Sequence, residues 1–152
     1  LIRHWCYDMA EDLRWELFRE SSLAELVLIS ERALKEEKYH RQHADALVEN
    51  LLAVPASKSR LMKALEKIVP EVVELFSSIP GETEAISSGL VSGKYCDVFS
   101  TWRSRVENRF GTLDPKLFTT RDHQSRTKRH SDFGPLYGRI REVFLLDPKA
   151  VW

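Results

Sequence analysis

The stretch Lys35-Glu36-Glu37-Lys38-Tyr39-His40-Arg41-Gln42-His43 places a carboxylate and an imidazole three residues apart on a long helix. Small or apolar residues recur around the pair at spacings of three and four, which predicts one helix face packed against neighbours: Leu26, Ser30, Ala33, Glu37, His40, Ala44, Leu47 and Leu51. At this spacing the side chains of Glu37 and His40 lie on the same side and can reach one ion. Because burying such groups without partners is costly, their position calls for a reason.

The helix that carries this stretch is predicted to begin at Ser22-Leu23-Ala24-Glu25, which has the Ser-x-x-Glu form of a capping box. No glycine or proline interrupts the pattern from there to Ala53. Glu-x-x-His is the element from which carboxylate-bridged di-iron and di-manganese sites are built inside helical bundles. In an alternative interpretation, Glu37 and His40 bond only to each other or to a neighbouring polar group.

The composition sets the class of protein. With 152 residues, 43% of them hydrophobic, and a net charge of zero, the chain suits a single soluble helical domain over residues 1–152. Leu1 opens a segment that already reads as helix interior, so we expect the chain to be the C-terminal portion of a larger domain, without its N-terminal helices. Cys6 and Cys96 cannot form a disulfide framework, which fits a reducing, cytoplasmic location.

Several functional classes lack support in the sequence. The charge is balanced, so nucleic acid is not expected as the main partner, and the basic segment from Arg121 to Arg129 is interpreted as a solvated loop or a phosphate contact. No apolar run is long enough to cross a membrane, and no signal peptide is visible. Hydrolase and kinase motifs, such as Gly-x-Ser-x-Gly or a phosphate-binding glycine loop, do not occur.

The apolar periodicity predicts an all-α fold. Five helices are expected, at about residues 2–19, 22–53, 59–76, 94–110 and 132–146. The first two are joined by the short Ser21-Ser22 turn and must lie antiparallel. Counting outward from this turn at equal rise per residue brings the start of the first helix level with Glu37 and His40, so Asp8 is the favoured third ligand.

Other polar residues near this level are weaker candidates. Asp12 is better oriented than Asp8 but lies too close to the turn, and His4 is interpreted as a surface or half-buried histidine. His43 lies one turn beyond His40, and Glu36 precedes Glu37 in the chain. We expect Glu36 and His43 to orient the ligands without binding the metal themselves. Alternatively, His43 only belongs to the polar side of the helix.

These residues resemble a known family. Lys35-Glu36-Glu37-x-Tyr39-His40-x-x-His43 is similar to the ligand-bearing helix of the oxygenase subunits of the phenylacetyl-CoA epoxidase system, and Arg3-x-x-x-x-Asp8 is similar to a segment bearing a ligand aspartate. Met62 to Phe76 resembles the helix that follows. The C-terminal part, from Trp102 with Val106 to the ending at Trp152, is more similar to the non-catalytic structural subunit of that system.

The resemblance implies a ferritin-like bundle in which a di-iron centre, or a manganese one, activates dioxygen. The implied activity is oxidation of the aromatic ring of an acyl-CoA substrate, with a second ferritin-like subunit and a reductase as partners. Asp8, Glu37 and His40 would be the ligands on this chain. Only one Glu-x-x-His pair occurs, so the sequence carries at most half of a complete site. The alternatives are a metal-free structural subunit that scaffolds a catalytic partner, and a plain helical interaction module.

Overall fold

The computed structural model describes residues 1–119, 129 and 131–149. Within these ranges the backbone forms six α-helices and three short 3-10 helices, and no strand. The α-helices are α1 (Ile2–Glu16), α2 (Ala24–Leu52), α3 (Pro55–Val73), α4 (Glu82–Ser87), α5 (Phe99–Phe110) and α6 (Phe133–Leu146). The 3-10 helices are Glu74–Phe76, Tyr95–Val98 and Pro115–Phe118. The predicted all-α helical bundle is confirmed.

The chain divides into two compact units, one within residues 1–121 and the other within residues 122–152. The first unit contains α1 to α5, and the second contains α6, whose Phe133 and Tyr137 rings stack at 5.7 Å. Most of the basic segment from Arg121 to Arg129 lies outside the described residues, as does Trp152. The single domain over residues 1–152 stays a prediction. No described helix combines the length and the apolar character that a membrane span needs.

The core of the first unit is built around α1, which packs against α2, α3 and α5. The largest fully buried side chains of this unit are Trp102, Leu65, Val48, Val69, Val73, Val106 and Cys6. Two hydrogen bonds fix α1 from the other side of the core: the Trp102 indole donates to the Cys6 carbonyl at 2.9 Å, and the Tyr95 hydroxyl donates to the Ala10 carbonyl at 2.7 Å. Helix α1 therefore packs against three other helices, which fixes the position of its side chains.

The two cysteines differ in their surroundings. Both are free thiols, Cys6 buried and Cys96 exposed. Burial raises the pKa of the Cys6 thiol to about 12. A thiol of this kind is an inert part of the core, because the thiolate is the nucleophile and the metal ligand.

The turn between α1 and α2 is closed by a loop from later in the chain. The Ser22 amide donates to the Gly89 carbonyl at 2.7 Å, and the Ser92 amide donates to the Leu17 carbonyl at 2.9 Å. Gly89 has a φ of +72°, a conformation that side-chain-bearing residues rarely adopt. The predicted capping box does not form, because Leu23 is the N-cap residue and the Ser22 hydroxyl donates to the Ser88 carbonyl instead.

Helix boundaries differ from the predicted ones mainly at the starts. Helix α3 begins at Pro55 rather than near Ser59, since proline suits the first turn of a helix, where its missing amide donor is not needed. The segment before α5 is a 3-10 helix, Tyr95–Val98, instead of the first turn of an α-helix. The short helix α4 was not predicted, because its six residues carry too little periodicity to detect.

Candidate metal site

A groove runs between the first half of α1 and the second half of α2, on the side that α3 and α5 do not cover. It encloses about 790 Å³. The residues that line it are Leu1, Arg3, His4, Tyr7 and Asp8 from α1 and the residue before it, and Glu37, His40, His43, Ala44 and Leu47 from α2. We call this the acid–imidazole groove. The structure thus brings the three predicted ligands, Asp8, Glu37 and His40, to one place.

The Glu37–His40 pair is formed but is not equally buried. His40 Nδ1 lies 3.5 Å from Glu37 Oε1, and the Glu37 side chain is 16% exposed while that of His40 is 60% exposed. The expectation that both side chains point into the core does not hold: Glu37 is half-buried at the groove, and His40 is exposed. The buried line on α2 consists of Ser30, Ala44 and Val48, and His40 is rotated away from it into the groove.

Glu37 has one carboxylate oxygen without a hydrogen-bond donor. Its Oε2 atom is buried and finds no partner among the described residues. A buried carboxylate oxygen left in this state costs about 1–3 kcal/mol or more, since its interactions with water are lost and not replaced. Such an atom next to a second acid is the kind of group that a cation would stabilise.

The two acids of the groove influence each other. Partial burial raises the pKa of Glu37, the negative charge of Asp8 raises it further, and His40 opposes the shift. Partial burial also raises the pKa of Asp8, while His4, His40 and Arg3 act in the opposite direction. Two acids whose charged forms are disfavoured, with an imidazole beside them, form a site that a positive ion would complete.

The remaining predicted residues are distributed differently. His43 lines the groove and is exposed. Glu36 lies outside the groove, where its side chain is 59% exposed and pairs with Arg32 at 3.1 Å. Neighbouring residues of a helix point in directions about 100° apart, so Glu36 cannot share the orientation of Glu37. It therefore faces solvent rather than the ligands. His4, considered the weaker candidate, does line the groove.

Asp12 belongs to a different arrangement. It is 6% exposed and accepts hydrogen bonds from Arg41 at 3.0 Å and Arg105 at 2.9 Å. Its charge is neutralised by these arginines, and it does not line the acid–imidazole groove. Asp12 was excluded from the predicted ligands because it lies close to the turn, and its place outside the groove is consistent with that exclusion.

A further acid, Glu11, lies one turn beyond Asp8 and was not among the predicted site residues. Glu11 is 6% exposed, its Oε2 atom pairs with Arg14, and its Oε1 atom is buried without a partner among the described residues. Its negative charge contributes to the raised pKa of Glu37. The signal was its spacing of three from Asp8, which places two acids on neighbouring turns of one helix face.

The donors line one groove but do not converge on one point. Within residues 1–119, 129 and 131–149, no three His, Cys, Asp or Glu side chains come close enough together to hold one metal ion. The donor chemistry nevertheless fits iron or manganese, since carboxylate oxygens and a neutral imidazole are their usual ligands. Asp8, Glu37 and His40 therefore fit one wall of a metal site, and a full coordination shell needs further donors.

These features define a class, an α-helical protein in which an acid and an imidazole on one helix face an acid on its antiparallel neighbour. The chain belongs to the phenylacetic acid catabolic protein family, whose sequence profile matches residues 1–152, the whole length. No curated protein matches the sequence. The resemblance noted in the sequence is thus confirmed at the level of the family.

Replacing Glu37 with glutamine is expected to stabilise the metal-free chain at pH 7. Folding raises the pKa of Glu37, so the folded state binds the proton more tightly, and stability falls as the pH rises above about 4. The variant lacks this penalty, so its Tm should exceed that of the wild type at pH 7, and the difference should shrink as the pH falls towards the ordinary pKa of a glutamate side chain. Thermal unfolding followed by circular dichroism between these pH values measures the effect.

Glu36→Gln is the matched control, since Glu36 is exposed and outside the groove. It should leave the pH dependence of the Tm unchanged. A Glu37→Gln variant that is less stable than the wild type at pH 7 would show that the charged carboxylate is stabilised by its surroundings.

Proposed function

We propose that this chain is an oxygenase-type, ferritin-like subunit of a multicomponent aromatic-CoA monooxygenase of the phenylacetate catabolic type. It supplies Asp8, Glu37 and His40 as part of a carboxylate-bridged di-iron site. A second ferritin-like subunit and a reductase are the expected partners, and the cytoplasm is the expected location. Membership of the phenylacetic acid catabolic family supports the pathway, and the acid–imidazole groove supports the metal chemistry.

The observation that carries the proposal is the unpartnered Oε2 atom of Glu37. It is buried, and it belongs to a carboxyl whose charge is disfavoured by burial and by Asp8. A purely structural acid at this position would be expected to have its lone pairs satisfied. An ion placed against Oε2 would relieve both the missing hydrogen bond and the repulsion from Asp8.

The side chains of this chain have separable tasks in the proposed site. Asp8 and Glu37 would provide anionic oxygen from two neighbouring helices. His40 would contribute an imidazole nitrogen, oriented by its contact of 3.5 Å with Glu37 Oε1. A di-iron pair, when bound, supplies the activation of dioxygen for oxidation of an aromatic ring. Ala44 and Leu47 add an apolar wall to the groove.

A second function is favoured by a separate observation. No group of three donors converges in the described part of the chain, and His40 is mostly exposed. These features also suit a metal-free structural subunit, in which the same residues form a polar cluster and the chain scaffolds a catalytic partner. The two functions differ in whether Glu37 binds metal.

Metal binding distinguishes them. Titration of the chain with Mn²⁺ and, without oxygen, with Fe²⁺ should show saturable binding by calorimetry, and Glu37→Ala should weaken it by at least about tenfold, since a charged ligand is lost. Glu36→Ala serves as the matched control and should leave the affinity unchanged, because Glu36 pairs with Arg32 at the surface.

The same titration is repeated with a copurified second ferritin-like subunit, whose helices would complete the coordination shell. Tighter binding that still depends on Glu37 supports the oxygenase subunit. No binding in either preparation, or binding that is indifferent to Glu37→Ala, rules out the oxygenase subunit in favour of the structural one.

A further inference from the structure

A second pocket lies between α1, α2 and α5, on another face of the same helix pair. It encloses about 500 Å³ and combines three arginines, Arg41, Arg105 and Arg109, with an apolar wall formed by Trp5, Met9 and Leu52. We call it the arginine pocket. Its volume is in the range of small-molecule sites. None of its arginines is needed for the proposed metal site.

Two arginines of this pocket share one buried acid. Arg41 Nη1 and Arg105 Nη1 both donate to the same oxygen of Asp12, at 3.0 and 2.9 Å. Neither guanidinium group therefore has a carboxylate to itself, although the three arginines are balanced in number by Asp12, Asp45 and Glu49. Unlike lysine, arginine keeps its charge when partly buried, so all three groups stay cationic at any physiological pH.

One of these donors has no acceptor. The Nε atom of Arg41 is buried and makes no hydrogen bond with any described residue. A buried N–H group of a charged side chain without an acceptor is costly, and a ligand oxygen would satisfy it. Arg41 thus provides an unused donor beside the carboxylate that it shares with Arg105.

Two acids also line the pocket. Asp45 Oδ1 already accepts from the Trp5 indole at 2.8 Å and from Arg109 at 3.3 Å. Glu49 is exposed, and no arginine of the pocket hydrogen-bonds to it. The negative charge of Glu49 should weaken the binding of an anion, although Glu49 does not occupy the arginine donors. Removing this charge should therefore raise the affinity.

We propose that the arginine pocket binds a phosphoryl group, either as inorganic phosphate or as part of a small phosphate monoester. The planar fork of a guanidinium matches phosphate oxygens and binds them through paired hydrogen bonds. Arg109 and Arg41 are the main donors, and Trp5, Met9 and Leu52 accommodate an apolar part of the ligand.

The test uses the indole resonance of Trp5 as a local reporter. The ¹⁵N-labelled 152-residue chain has four tryptophans, and Trp5→Phe identifies the signal of Trp5. Titration with inorganic phosphate should shift this signal in a saturable way, because Trp5 shares Asp45 with Arg109. A second titration with phenyl phosphate distinguishes the two sources of the phosphoryl group. A higher affinity for phenyl phosphate than for inorganic phosphate identifies a monoester as the ligand, and equal affinities identify the free anion.

Two substitutions should move the affinity in opposite directions. Arg109→Gln removes a charged donor and should weaken phosphate binding by about tenfold. Glu49→Gln removes the opposing charge and should strengthen binding by about two- to threefold. Neither residue has a role in the core, since Arg109 is 31% exposed and Glu49 is exposed.

Arg103→Gln is the matched control on the same helix. Arg103 pairs with Glu107 and lies over the Phe118 ring, outside the arginine pocket, so its replacement should leave the phosphate affinity unchanged. The proposal is overturned if phosphate and phenyl phosphate leave the Trp5 signal in place. It is equally overturned if Arg109→Gln has no larger effect than Arg103→Gln, or if Glu49→Gln does not tighten binding.

Discussion

Replacing Trp102 with alanine should lower the free energy of unfolding by about 3–5 kcal/mol, the range measured for large aromatic side chains in cores. Trp102 is fully buried, and its ring contacts the rings of Phe76, Phe99 and Phe118 at centroid distances of 5.4–6.2 Å. Its indole also ties α5 to α1 through the Cys6 carbonyl. Chemical denaturation followed by circular dichroism should show the loss, and the Tm should fall by about 10 °C.

Trp102→Phe separates the two contributions. Phenylalanine retains most of the apolar contact but cannot donate to the Cys6 carbonyl, so a smaller loss of about 1–2 kcal/mol is expected. If Trp102→Ala destabilises by less than about 1 kcal/mol, α5 cannot be packed on α1 as described.

Replacing Asp12 with asparagine should have the second-largest effect on stability. The variant leaves the charges of Arg41 and Arg105 without their shared carboxylate. Breaking a fully buried ion pair costs about 3–5 kcal/mol. We expect about 2–3 kcal/mol here, because Arg41 and Arg105 are 32% and 35% exposed and water partly replaces the lost partner. Urea denaturation of the variant and the wild type at one pH measures the difference.

Glu16→Gln is the control for Asp12→Asn, since it breaks an ion pair on the same helix. Glu16 and Arg19 are 48% and 55% exposed, and exposed pairs contribute little, so a change within about 0.5 kcal/mol is expected. Equal effects of the two substitutions would contradict the assignment of Asp12 as the ion that joins α1, α2 and α5.

The sequence predicted the longer helices and the level at which Asp8 faces Glu37 and His40. Apolar spacing identified α1, α2 and α3, and the short turn at Ser21-Ser22 made α1 and α2 antiparallel. Equal rise per residue then placed Asp8 opposite Glu37 and His40, and these three do line one groove. This part was predictable because it depends only on helix geometry and on a connection too short to allow another arrangement.

The sequence could not predict which side of α2 is covered. The stripe through His40 and Leu47 was expected to be buried, but their exposed fractions are 60% for the His40 side chain and 40% for Leu47. Helices α1 and α3 cover only the side with Ala44 and Val48, and this depends on contacts between residues distant in sequence. The arginine pocket was missed for the same reason, since Arg41, Arg105 and Asp12 come from three helices.

Few residues of α2 are buried, so the stability of this helix should depend on ligands that bind beside it. Of its 29 residues only Ser30, Ala44 and Val48 are buried, so tertiary contacts contribute less to α2 than to α1. Its amides should therefore exchange with solvent deuterium faster than those of α1. A ligand that binds only the folded helix stabilises it by mass action, so occupancy of the groove should slow the exchange of amides around Glu37. If the groove binds a ligand, binding and local folding of α2 are parts of one equilibrium.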